Sequence, residues 1–160
     1  AGEGGLAGVF VDAPLAQVED LLAEVGLDLA QLHGDEPAAD LESLAARDRL
    51  LRVFHGVPAQ AAIDASPPAA LFLVDAAHAA LRGGTGVSWP WRDVAGLRFP
   101  APLLVAGGIR PDNVAAALAA SGAAGVDVAS GVESAPGIKD PGKMESLFRE
   151  VRRAAKTSRS

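Results

Sequence analysis

Six apolar runs recur along this chain, starting near Leu6, Leu29, Leu50, Leu71, Leu103 and Val126, so that successive starts lie about 23, 21, 21, 32 and 23 residues apart. Amphipathic helical patterns fill the intervals. That rhythm belongs to repeated right-handed strand–helix–strand crossovers, whose buried parallel strands read as continuous apolar stretches. Helix punctuation agrees with the division. Pro14 opens a segment in which Leu15, Val18, Leu21, Leu22 and Val25 repeat at helical spacing, and Gly26 closes it. Asp112-Asn113 is expected to cap a helix running to Gly122, and Asp140 precedes a final helix whose apolar positions are Met144, Leu147, Phe148 and Val151. Asp35 and Glu36 are expected to cap the helix that begins near Pro37. No linker interrupts the pattern, so residues 1–160 read as one α/β domain.

Two of the runs end in glycine and small polar residues: Val105-Ala106-Gly107-Gly108-Ile109-Arg110 and Val126-Asp127-Val128-Ala129-Ser130-Gly131. Backbone N–H groups in such loops can approach a phosphate with no Cβ in the way. Gly107, Gly108, Ser130 and Gly131 therefore form a candidate phosphate clamp of the (β/α)8-barrel kind; the alternative is tight strand-to-helix packing. Charge decides how such a ligand would be held. With 14 basic and 20 acidic residues the formal net charge is −6, which argues against a nucleic-acid surface and requires an anion to be bound locally. No apolar run approaches the ~20 residues of a membrane span, and no secretory leader pattern stands at residue 1, so a cytoplasmic protein acting on a small phosphorylated molecule is expected. The chain has no cysteine, which removes disulfides, thiolate metal sites and a thiol nucleophile from these residues. His55 and His78 lack ligand spacing, and neither a metal nor another cofactor is expected.

Further motifs lie upstream. Gln31-Leu32-His33-Gly34 ends the second run, Val74-Asp75 ends the fourth, and Gly83-Gly84-Thr85-Gly86 follows in the long interval, with Trp89-Pro90-Trp91 just beyond it. Taken with the two phosphate loops, from about Val9 to Phe148, this order resembles phosphoribosylanthranilate isomerase, an enzyme of tryptophan biosynthesis. Position alone leaves Asp75 as either a general acid or a strand-end cap. A general acid must keep its proton until the substrate needs it, which burial favours, and Asp75 ends the apolar stretch Leu71–Val74.

The resemblance implies a definite site. Asp75 matches the general acid, Gln31 and the glycines Gly83, Gly84 and Gly86 match substrate-binding positions, and the two later loops match the phosphate site. The implied reaction is an Amadori rearrangement built on positioned proton transfers, which needs no metal or organic cofactor. His33 is open between proton relay and structural histidine, and Arg52 stands where many relatives carry lysine. The resemblance also implies a TIM (β/α)8 barrel of which this chain supplies about six strand–helix units, the first two being absent. The cysteine base carried by the relatives' first strand has no counterpart here, so the chain alone is expected to be inactive, and its open barrel edges are expected to favour self-association. Two alternatives stand beside the isomerase: an inactive phosphate-binding fragment, or another phosphate-binding barrel enzyme such as indole-glycerol-phosphate synthase.

Overall fold

The computed structural model describes residues 4–75 and 91–157. Six strands form one parallel sheet in strict chain order: β1 (Ala7–Phe10), β2 (Leu29–Leu32), β3 (Leu50–His55), β4 (Leu71–Asp75), β5 (Leu103–Ala106) and β6 (Gly125–Val126). Helices α1 (Leu15–Val25), α2 (Ala38–Ala45), α3 (Gln60–Asp64), α4 (Val114–Ser121) and α5 (Pro141–Thr157) lie between and after them, with a 3₁₀ turn at Trp91–Val94. Each strand begins within a residue of its expected position. The sheet is a half-barrel whose end strands, β1 and β6, each have a single neighbour among the described residues. Among the described residues, no helix is long and apolar enough to cross a membrane.

The two-residue alternation of each strand sorts its side chains to opposite faces. On the helix side, Ala30, Leu32 and Leu50 meet Val18 and Leu22 of α1 and Leu41 and Leu44 of α2, while Phe54, Phe72, Val74 and Val105 meet Ile63 of α3 and Val94. On the concave side a separate layer of Leu51, Val53, Leu73 and Ala106 lines the lumen. Phe72 is fully buried on the helix side. Its ring stacks at 6.3 Å on Phe54 and meets Phe99 at 5.5 Å.

Helix ends follow the sequence in part. Gly26 and Gly122 close α1 and α4 in the left-handed conformation, at φ 72° and 69°, each donating its N–H to the last turn. Asp140 caps α5 by accepting a hydrogen bond from the N–H of Lys143 at 2.9 Å. Asp35 and Glu36 do not cap α2, which has no side-chain cap. The Glu36 carboxylate instead accepts from the N–H groups of Gly34 (3.0 Å) and Asp12 (3.1 Å), and Asp12 accepts from the N–H of Asp35 at 2.8 Å, so these carboxylates stitch the loops after β1 and β2 together. In α5, Leu147 is buried but Met144 and Phe148 are exposed, so the helix commits only part of its apolar face. A short antiparallel hairpin, β7 (Glu133–Ala135) and β8 (Ile138–Lys139), has no counterpart in the sequence reading.

Truncating the central ring tests how far the helix-side core depends on it. Phe72→Ala should cost about 3–5 kcal/mol, much of the ~5–15 kcal/mol that holds a domain folded. Urea unfolding of the variant should show a markedly lower midpoint, and an unchanged midpoint would mean that the aromatic stack is peripheral.

Candidate active site

Parallel pairing brings the strand ends to one rim. His55 pairs with Asp75 and Asp75 with Ala106, while Val105 pairs with Val126, so the next step sets Asp127 beside Ala106. The row His55–Asp75–Ala106–Asp127 thus crosses four adjacent strands at their carboxyl ends, where α/β barrels place their chemistry. Asp75 follows Leu71 and Leu73 in alternation and shares their lumenal face.

Around Asp75 the polar groups are organised. Gln31, buried at 8% exposure, donates through Nε2 to Nδ1 of His33 at 3.2 Å. Acceptance at Nδ1 assigns the proton of the neutral imidazole to Nε2, which lies 3.6 Å from Asp75 Oδ2. That spacing is too long for a hydrogen bond and becomes an ion pair when the ring is protonated. His55 donates from Nε2 to the His33 carbonyl at 3.1 Å, and its ring meets that of His33 edge-on at 4.6 Å. His55 therefore braces the end of β2, a role that its isolation in the sequence did not suggest.

The two phosphate-loop candidates meet beside Asp75. Gly107, Gly108, Ser130 and Gly131 line a cavity of about 160 Å³ together with Asp75, Ala106 and Asp127. The glycines are there for different reasons. Gly107 and Gly108 have φ of 89° and 67°, a region costly for other residues, and a Cβ at Gly108 would enter open space. At Gly131 a Cβ would fall 1.8 Å from the Ile109 carbonyl oxygen, so its glycine permits the two loops to touch. Asn113 stands at the N-cap of α4 without a side-chain cap. Its amide instead accepts from the N–H of Arg110 at 2.7 Å and donates to the Gly108 carbonyl at 2.9 Å, fixing the first loop. Lys139, on the unforeseen hairpin, fixes the second by donating to the Ala129 carbonyl at 2.8 Å and to Glu133 at 2.7 Å. That ammonium holds the Glu133 carboxyl below the usual carboxylate range. Asp127 shifts the other way: burial in the concave rim raises its pKa, and the facing Asp75 adds to the rise.

Gly83, Gly84 and Gly86, with His78 and Trp89, lie outside the described residues. Arg52 is turned from the site. It shares the outer face with Leu50 and Phe54, its guanidinium lies 4.9 Å from the Phe54 ring centroid, and burial lowers its pKa against the attraction of Glu36. Among the described residues no cluster of three His, Asp or Glu side chains is placed to hold a metal.

A family model described as N-(5′-phosphoribosyl)anthranilate (PRA) isomerase matches residues 1–150. The chain belongs to the PRA isomerase family. It is 43% identical over 148 residues to an N-(5′-phosphoribosyl)anthranilate isomerase of Pseudomonas fluorescens, covering 92% of this chain and 70% of that protein. Its fold is similar to the crystal structure of phosphoribosylanthranilate isomerase from Thermus thermophilus, with a TM-score of 0.75, 33% identity, and coverage of 92% of this chain and 72% of that one. A family structure in complex with reduced 1-(o-carboxyphenylamino)-1-deoxyribulose 5-phosphate aligns with a TM-score of 0.68 at 28% identity, covering 91% of this chain and 70% of that one. So broad a match to isomerases runs against the expectation that the chain alone is inactive.

The loop contact can be tested by substitution. Gly131→Ala must displace the Ile109 backbone, whereas Gly108→Ala meets no atom and bears only the ~1–2 kcal/mol of a left-handed alanine. Thermal unfolding should show the larger loss for Gly131→Ala. The reverse order would show that the loops do not depend on their close approach.

Proposed function

We propose that this chain catalyses the conversion of N-(5-phosphoribosyl)anthranilate to 1-(2-carboxyphenylamino)-1-deoxyribulose 5-phosphate, in the cytoplasm. One observation carries the reading: the Asp75 carboxyl and both glycine loops line a single cavity at the carboxyl ends of the strands, in a chain of this family. The loop N–H groups would hold the phosphate in a protein of net charge −6, and Asp75 would face the sugar. Asp75 gives a proton to the furanose ring oxygen, the C1′–O bond breaks, and the aniline nitrogen's lone pair forms the Schiff base. A base then takes the C2′ proton, and the resulting enolamine tautomerises to the ketone. No electrons leave the substrate, so acid, base and orientation account for the whole reaction.

Gln31 would act in two directions, orienting His33 through its amide nitrogen and offering its oxygen to the substrate. Gly83, Gly84 and Gly86 would close over the sugar. The six units would correspond to the third to eighth of a (β/α)8 barrel, consistent with a chain that spans 70% of the Pseudomonas relative. Among the described residues the outer sides of β1 and β6 are unpaired and Leu6, Val9 and Val11 are exposed, which favours association through those edges. The resemblance assigns the base to a cysteine, and these 160 residues contain none. Within them, His33 is the group best placed to take a proton beside Asp75. Assay of the 160 residues alone, with and without His33→Ala, separates the two sources of the base.

The acid has its own test. In the active polypeptide, Asp75→Asn should lower kcat by about 10²–10⁴-fold while leaving competitive inhibition by inorganic phosphate unchanged. Turnover close to that of the parent would remove Asp75 from the reaction.

A further inference from the structure

The two open sides of the sheet are not alike. Among the described residues β6 has no neighbour beyond β5, and β1 none beyond β2. α5 packs over β6 through Leu147 and Val151, and α1 packs beside β1 through Val18 and Leu22. These two helices differ in charge. α5 carries five basic and two acidic side chains, whereas α1 carries three acidic and no basic ones. In a chain of net charge −6, the helix at one open edge is therefore basic and the helix at the other acidic.

Each helix turns an apolar stripe outward. On α5, Glu150 and Ala154 line the groove against Leu118 of α4, while Met144, Phe148 and Arg152 follow one another at i,i+4 about half a turn away. On α1, Glu19 reaches Arg47, just beyond α2, at 2.7 Å, and the Leu21–Val25 stripe lies on the side turned from it, bordered by Asp20 and Glu24. Phe148 and Val25 are 55% and 56% exposed. Because the helices follow the strand order, these flanks lie on the open sides of β6 and β1. Each edge thus offers an apolar stripe bordered by charge, basic at β6 and acidic at β1. Pairing an edge with its own kind in another copy would set like charge on like. Pairing β6 with β1 extends one parallel ladder, covers both stripes and brings opposite charges together.

We propose that copies of this chain associate head to tail, the β6 and α5 edge of one taking the β1 and α1 edge of the next. The proposal rests on the edge association inferred above and gives it a direction; the isomerase chemistry plays no part in it. Such a contact is heterologous, so further copies add at either end until a ring closes.

Sedimentation velocity on the 160-residue chain and two variants tests the direction. The mean mass of the parent should rise with concentration above the 16.2 kDa of one copy. Phe148→Asp blocks one edge and Val25→Asp the other; both side chains are exposed, so thermal unfolding of each variant should match that of the parent. Each variant alone should stay monomeric. Their equimolar mixture should form a species of twice the monomer mass and nothing larger, because only one pair of unblocked edges exists between them. A mixture that stays monomeric, or a variant that associates like the parent, would overturn the head-to-tail direction and leave edge association standing. A parent that stays monomeric at every concentration would overturn both, without touching the isomerase reading.

Discussion

Everything in this site depends on the register of the parallel ladder. Side chains alternate across each strand, so a slip of one residue between β3 and β4 would carry Asp75 from the lumen into the helix layer and Val74 into the lumen. The two aliphatic layers prevent it. Phe72 and Val74 are fully buried against the helix-side aromatics, and Leu73 is fully buried in the lumenal layer, so neither face of β4 can exchange with the other. The rim row is thus a by-product of packing: once Leu73 and Phe72 are seated, His55, Asp75, Ala106 and Asp127 have no freedom to leave one another's company.

Backbone, not cationic side chains, shapes the glycine-loop side of the cavity. Arg110 follows the first loop, but it pairs with the exposed Asp112 at 3.1 Å, and the Lys139 ammonium is spent on Ala129 and Glu133. The cations nearest the cup therefore serve as struts. Besides the carboxyl-bearing Asp75 and Asp127, the cavity is lined by small and apolar residues, Ala106 to Ile109 and Val128 to Gly131, with positive φ at Gly107 and Gly108 and the loops touching at Gly131. Under the proposed reading an anion there would be held by loop N–H dipoles fixed by the fold, which need no mobile counter-charge in a protein of net charge −6.

The sequence exposed the parts of this fold that arise from periodicity and left hidden those that arise from tertiary contact. The apolar runs located the six strands of the sheet; the reason holds best for the central ones, β2 to β5, because strands covered on both faces must be apolar throughout. Gly26 and Gly122 were legible as helix ends because their conformation is a local property. Glu36 was misread because a carboxylate ahead of a helix has the same local signature whether it caps that helix or reaches across to the amide of Asp12. Asn113 was misread in the same way, its side chain serving the Gly108 loop. At the candidate site, the strand-end places of Asp75 and the loop residues were legible, whereas His55, Lys139 and Asp127 acquire their partners only through neighbouring strands and a short hairpin that has no periodicity to announce it.

Asp127 and Glu133 show how one loop can carry two carboxyls whose pKa values shift in opposite directions. Glu133 has its pKa lowered by Lys139, so its stabilising contribution is present above the ordinary carboxylate value and is lost as pH falls through the lowered one. Asp127 has the opposite sign. Its folded-state pKa is raised, so burial favours the protonated form, and the cost of ionising it grows as pH rises above the ordinary value of about 4. At neutral pH one carboxylate supports the native state while the other opposes it. His33 and Lys139 pull the Asp127 pKa down, but burial and the neighbouring Asp75 outweigh them. One rim therefore holds two carboxyls, Asp75 and Asp127, of which burial favours the protonated form of the second.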